Sequence, residues 1–138
     1  MKTTQNRPVV LLADDDTDAR ETLESILSRK YPTAVFYSVA DGRTALEYFR
    51  EYQPEIVITD VIMPEMDGIK LTREIRAIKA ATKLIMLTGL SDLAESEDQP
   101  MVETIIDHYI LKPVDLGKLF AAIDECMAGL DIRKGSGD

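Results

Sequence analysis

Ile56-Val57-Ile58-Thr59-Asp60-Val61-Ile62-Met63-Pro64-Glu65-Met66-Asp67-Gly68 sets the architecture of this chain. Its opening run is short, apolar and β-branched, which suits a strand rather than a helix. The run stops at an acid. Met63-Pro64 and Asp67-Gly68 then supply turn and helix-capping residues. Leu71, Ile75 and Ile78 follow at helical spacing, so a strand over Ile56–Thr59, closed by Asp60, is predicted to lead into a helix over Ile69–Ile78.

The same unit recurs on either side. Val9–Ala13, Ala34–Val39, Leu84–Thr88 and Tyr109–Leu111 read as strands, and Ala19–Arg29, Ala45–Tyr52 and Leu116–Ala128 as helices. Runs such as Val9-Val10-Leu11-Leu12 and Leu84-Ile85-Met86-Leu87 lack polar alternation, as expected of a parallel sheet covered on both faces. Alternating strands and helices imply right-handed crossovers and an α/β, three-layer αβα sandwich. Ser91–Pro100 carries four acids and ends in a proline, which belongs in a helix's first turn or outside it. Leu90–Asp98 is therefore expected to be largely loop, with a helix opening near Gln99 or Pro100 and closing before Tyr109. Residues 1–7 read as a polar lead-in, 8–128 as the domain, and 129–138 as a tail or linker ending in Lys134-Gly135-Ser136-Gly137-Asp138.

Composition narrows the function. The chain has 138 residues, enough for one core without disulfides. Its formal charge of −9 argues against nucleic acid as a direct partner, since such binding rests on Lys and Arg neutralising phosphates. The single cysteine, Cys126, fits a reduced cytoplasmic setting and reads as a packed helix residue. No apolar stretch of spanning length or leader-like start appears, so neither export nor a membrane is expected. His108 is the only histidine, which excludes a multi-histidine metal site and leaves solvent exposure as its default.

Chemistry concentrates where the strands stop. The first ends in Asp14-Asp15-Asp16, the third in Asp60, the fourth in Thr88 and the fifth in Lys112-Pro113. In an open α/β sheet the carboxyl ends of adjacent strands converge on one crevice. Carboxylates are hard oxygen ligands suited to Mg²⁺. A charge-spread phosphoryl transition state needs positioning and cationic stabilisation, which Mg²⁺ and Lys112 can supply, with hydrogen bonds from Thr88 and backbone N–H groups.

Leu11-Leu12-Ala13-Asp14-Asp15-Asp16 with Arg20, Ile56 through Gly68, Leu87-Thr88-Gly89 and Tyr109-Ile110-Leu111-Lys112-Pro113 together resemble the response-regulator receiver (CheY-like) domain of two-component phosphorelays, from about Pro8 to Met127. The resemblance implies a flavodoxin-like five-stranded parallel sheet in the order 2-1-3-4-5. It implies Asp60 as phosphoacceptor, not an enzyme acting on other molecules. It also implies Mg²⁺ held by Asp14, Asp15, Asp60 and the Ile62 backbone carbonyl. Thr88 would bind the phosphoryl oxygen, Lys112 would pair with it, and Thr88 and Tyr109 would form the switch. A histidine kinase or histidine phosphotransfer protein would donate the phosphoryl group. The face of the fourth helix, fifth strand and fifth helix would respond, with a homodimer as one possible outcome.

The sequence departs from the family pattern in places. Ile62 is apolar and orients no attacking water, and Val102–His108 lacks the Ala-Gly-Ala-like turn before the fifth strand. Other readings fit less well. Asp14-x-Asp16-x-Asp18 is no EF-hand, because Ala19 replaces the turn glycine and Ser25 the bidentate glutamate. Asp16 is the residue best explained as a helix cap. A haloacid-dehalogenase-type phosphatase would want its nucleophile after the first strand, with a threonine where Asp18 stands. A pseudo-receiver that only binds proteins is opposed by Asp15, Asp60, Thr88 and Lys112 all being present.

Overall fold

Alternate residues of a strand face opposite sides of a sheet, and here both sides are apolar. The computed structural model describes residues 7–89 and 105–136. Within them run β1 (Val9–Ala13), α1 (Thr17–Lys30), β2 (Val35–Val39), α2 (Gly42–Tyr52), β3 (Ile56–Asp60), α3 (Gly68–Ile78), β4 (Lys83–Thr88), β5 (His108–Leu111) and a C-terminal helix, Leu116–Ser136. The strands form one parallel sheet ordered β2-β1-β3-β4-β5, as the resemblance implies. Leu11, Val57, Leu84 and Met86 pack with Leu46, Phe49, Leu71 and Ile75 of α2 and α3. Val10, Leu12, Ile58, Ile85 and Leu87 pack on the other side with Leu23 and Leu27 of α1 and Leu119 and Ile123 of the C-terminal helix.

This packing, more than local propensity, holds the helices. An isolated helix the length of α2, 11 residues, is marginal in water. Phe49 on its inner face is fully buried, and truncating such a side chain to alanine costs about 3–5 kcal/mol. The helix starts follow the sequence. The carboxylates of Asp16, Asp41 and Asp67 accept from the N–H groups of Ala19, Thr44 and Lys70, so all three act as N-caps. Two glycines permit close approach. A Cβ at Gly68 would stand 1.9 Å from the Asp60 carbonyl oxygen, and one at Gly42 would stand 1.8 Å from that of Met66.

Three expectations need adjustment or fall elsewhere. The predicted helix end near Ala128 is too early: the backbone stays helical through Ser136, with Leu130 buried in the core. Thus much of the tail expected over 129–138 continues the last helix, because Leu130 extends its apolar stripe. His108 is not simply exposed, since its Nε2 lies 2.9 Å from Glu125 Oε1 on the C-terminal helix. The loop and helix expected between Leu90 and Tyr109 lie mostly outside the described residues; Ile105 is helical and Ile106 is not.

Candidate functional site

Strand register brings the sequence-marked residues together. Ala13 is opposite Thr59, so the next residues, Asp14 and Asp60, leave adjacent strands side by side. Thr88 is opposite Leu111, which sets Lys112 just beyond the end of the sheet. The Asp14, Asp15 and Asp60 carboxylates each contribute an oxygen to a group lying within 4.8 Å of one another. Asp14 and Asp60 are 3% and 4% exposed, whereas Asp15 is open to solvent. Lys112 Nζ donates to Asp60 Oδ2 at 2.5 Å, well inside ion-pair reach. Asp60 Oδ1 accepts from the Val61 N–H at 2.8 Å. Both oxygens of Asp60 are thereby oriented.

Asp14 carries the electrostatic strain of the cluster. Burial raises its pKa above the usual carboxylate value, and the charges of Asp60 and Asp15 push the same way. The Asp16 N–H, which donates to Asp14 Oδ1 at 3.0 Å, and the Lys112 ammonium pull it down without cancelling the rise. Among the described residues, three clustered acids stand beside one ammonium, that of Lys112. That donor set fits a small divalent cation held by hard oxygens, and Asp14, Asp15 and Asp60 are the residues that would hold it.

Around the acids, Thr88 is buried and its hydroxyl donates to the Gly89 carbonyl at 2.9 Å. The Lys112 N–H donates to the Thr88 carbonyl at 2.8 Å, fixing the lysine's backbone to the end of β4. Ile62, two residues beyond Asp60, is 60% exposed. Tyr109 is half-buried against the α2–α3 side of the core, and its hydroxyl oxygen is closed off from solvent.

Some contributors carry no role in the sequence reading. Arg20, quoted there only as part of a motif, donates from Nη1 to the Asp14 carbonyl at 2.8 Å. Gly68 was legible as a turn residue, but its contact with the Asp60 carbonyl depends on how α3 returns. An apolar groove of about 600 Å³ opens beside Asp14 and Lys112, floored by Leu23, Ile26 and Leu87 and walled by Pro113, Val114 and Leu116. Only the helical spacing of Leu23 and Ile26 pointed toward it.

Comparison with known proteins agrees with this geometry. Residues 10–124 match the family described as response regulator receiver domain. The chain is 33% identical over 118 residues to the chemotaxis protein CheY of Halobacterium salinarum, covering 86% of this chain and 95% of that one. It is 34% identical to the probable transcriptional regulator ycf27 of Guillardia theta, covering 86% of this chain but 45% of that protein. Among solved structures, the N-terminal domain of an uncharacterized protein from Wolinella succinogenes superposes with a TM-score of 0.76 at 28% identity, over 92% of this chain and 98% of that one.

Proposed function

Because the chain belongs to the response regulator receiver domain family of two-component signalling, we propose that Asp60 accepts a phosphoryl group from a histidine kinase or a histidine phosphotransfer protein. The observation that carries this reading is the 2.5 Å Lys112–Asp60 pair set against the Asp14–Asp15 acids. A carboxylate oxygen of Asp60 attacks phosphorus as the donor's P–N bond breaks, and the bonding pair stays on the imidazole nitrogen. The product is an acyl phosphate on Asp60. Asp14, Asp15, Asp60 and the Ile62 carbonyl would hold Mg²⁺, which would supply positive charge to the phosphoryl oxygens when bound.

The protein's own groups do the remaining work. Lys112 transfers its ion pair from the Asp60 carboxylate to a phosphoryl oxygen. The Thr88 hydroxyl exchanges the Gly89 carbonyl for a stronger, charged acceptor. The groove beside Lys112 offers an apolar bed for the element of the donor that bears the histidine. The exposed Ile62 side chain has no polar atom to orient water, which favours a long-lived acyl phosphate.

Output follows from the same move. With Thr88 drawn toward the phosphoryl group, packing beneath β4 changes, and Tyr109 adjusts from a position already half-buried. The phosphoryl group shifts this equilibrium only by its differential affinity for the two arrangements. The surface around β5 then presents altered contacts to a partner or a second copy of the chain. Among the described residues no helix is long and apolar enough to cross a membrane.

Incubation with Mg²⁺ and acetyl phosphate tests the reading. Intact mass is expected to gain one phosphoryl group that is base-labile, absent with chelator and absent in Asp60→Asn. An adduct surviving in Asp60→Asn removes the assignment. No adduct in the wild type favours a pseudo-receiver.

A further inference from the structure

The acids of the first strand end need a backbone that holds them still, and one residue bonds that backbone on both sides of Asp15. The Arg20 N–H donates to the Asp16 carbonyl at 2.9 Å, and the Arg20 guanidinium donates to the Asp14 carbonyl at 2.8 Å. The other local ties are the Asp14 N–H on the Val39 carbonyl and the Asp16 N–H on Asp14 Oδ1. The second of these uses an oxygen of the carboxylate that would itself take the ion. Without the guanidinium the two backbone bonds remain, but the tie across Asp15 that is left uses the very carboxylate whose orientation the turn is meant to define.

We infer that Arg20 is a positioning residue for the divalent-cation site, its guanidinium acting through the Asp14 carbonyl rather than through its charge. This rests on the proposed Mg²⁺-dependent function. The guanidinium meets the carbonyl, and its planar donors hold that oxygen in a fixed direction. A role through charge has the opposite sign, since removing a cation beside three acids would strengthen cation binding. The two accounts therefore separate cleanly. Groups that orient metal ligands from behind commonly change affinity by about tenfold or more.

Mg²⁺ titration followed by backbone amide shifts tests this in the wild type, Arg20→Met and Arg20→Lys, alongside Asp15→Asn as a control without a metal acid. Arg20→Met keeps much of the apolar stem and removes the donor. It is expected to weaken Mg²⁺ binding about tenfold, and Arg20→Lys, which keeps a donor, to recover part of that loss. In metal-free Arg20→Met the Asp16 amide is expected to exchange faster with solvent, while amides of β3 and β4 keep their protection. Unchanged or tighter Mg²⁺ binding in Arg20→Met overturns the inference and leaves the phosphoacceptor reading intact. A wild type that binds no Mg²⁺, or binds it no better than Asp15→Asn, overturns both. General loss of amide protection in Arg20→Met with unchanged binding in Arg20→Lys assigns the residue to the fold alone and also overturns the inference.

Discussion

The two edges of the sheet use the same kinds of side chain to opposite ends. At the amino edge every polar group named here closes a backbone gap. Glu55 accepts from the Val9 N–H at 2.7 Å, and Asp107 accepts from the Leu84 N–H at 2.8 Å. Arg76 donates to the carbonyls of Ala80, Thr82 and Ile105 and pairs with Asp107 at 3.3 Å. At the carboxyl edge, Asp14, Asp15 and Asp60 face one another, with the Lys112 ammonium paired to Asp60. One edge spends its charges on the chain's own amides and carbonyls, while the other leaves acids underneutralised and available. Charge composition alone separates structural from chemical groups poorly; what each charge touches separates them well.

The sharpest test of this contrast is a double dissociation. Asp60→Asn is expected to abolish the phosphoryl adduct entirely while leaving the urea unfolding midpoint of metal-free protein close to the wild type. A large loss of stability in that variant would mean that the carboxyl edge also holds the fold together. Next in size, Arg76→Ala removes a cluster of charged hydrogen bonds and is expected to cost about 2–4 kcal/mol in urea unfolding. The protein that remains folded should still take up phosphate. Failure to do so at full foldedness would tie the amino edge to the chemistry.

A smaller effect concerns Asp14. Burial, with Asp60 and Asp15, raises its folded pKa above the unfolded value. Folding therefore favours its protonated form, and its stabilising contribution is complete below the ordinary carboxylate range and lost as pH rises through the raised value. Metal-free Asp14→Asn is expected to unfold at higher urea than the wild type at neutral pH, with the gap closing on acidification. A gap that widens toward acid would reverse the sign assigned to Asp14. The smallest effect lies at the other edge. Burial, and then Asp107, raises the Cys126 thiol to about 11, outweighing the opposing pull of Lys83. Native protein is expected to resist a thiol reagent at neutral pH that labels urea-unfolded protein completely.

Sequence and structure agree where a signal is local. Apolar runs located β1 to β4 to within a residue at each end, and Asp16 and Asp67 read correctly as capping acids, because strand composition and N-cap chemistry act over a few positions. The apolar spacing that began helices at Ala19 and Ala45 placed those starts two and three residues late. Asp14, Asp15, Asp60, Thr88 and Lys112 were legible because strand ends in a parallel sheet share one edge. Arg76 was not, since it meets Ile105 and Asp107 across 29 and 31 positions of sequence. The His108–Glu125 pair was missed for the same reason. The last helix was drawn too short because the glycines and charges after Ala128 read as a terminus, whereas Leu130 continues the buried stripe.

Gly68 against the Asp60 carbonyl has a practical consequence for anyone building with this protein. The interval from Asp60 to Gly68 behaves as a spacer of fixed length. Its ends are tied by the Gly68 N–H on the Val61 carbonyl at 2.7 Å, and Glu65 turns within it at a φ of 70°. Adding or deleting one residue there would slide a side chain into the Asp60 carbonyl, as would Gly68→Ala with no change in length. A graft of this acid onto another scaffold must therefore carry the strand end, the turn and the glycine as one cassette. Transplanting the aspartate alone would bring its charge without its aim.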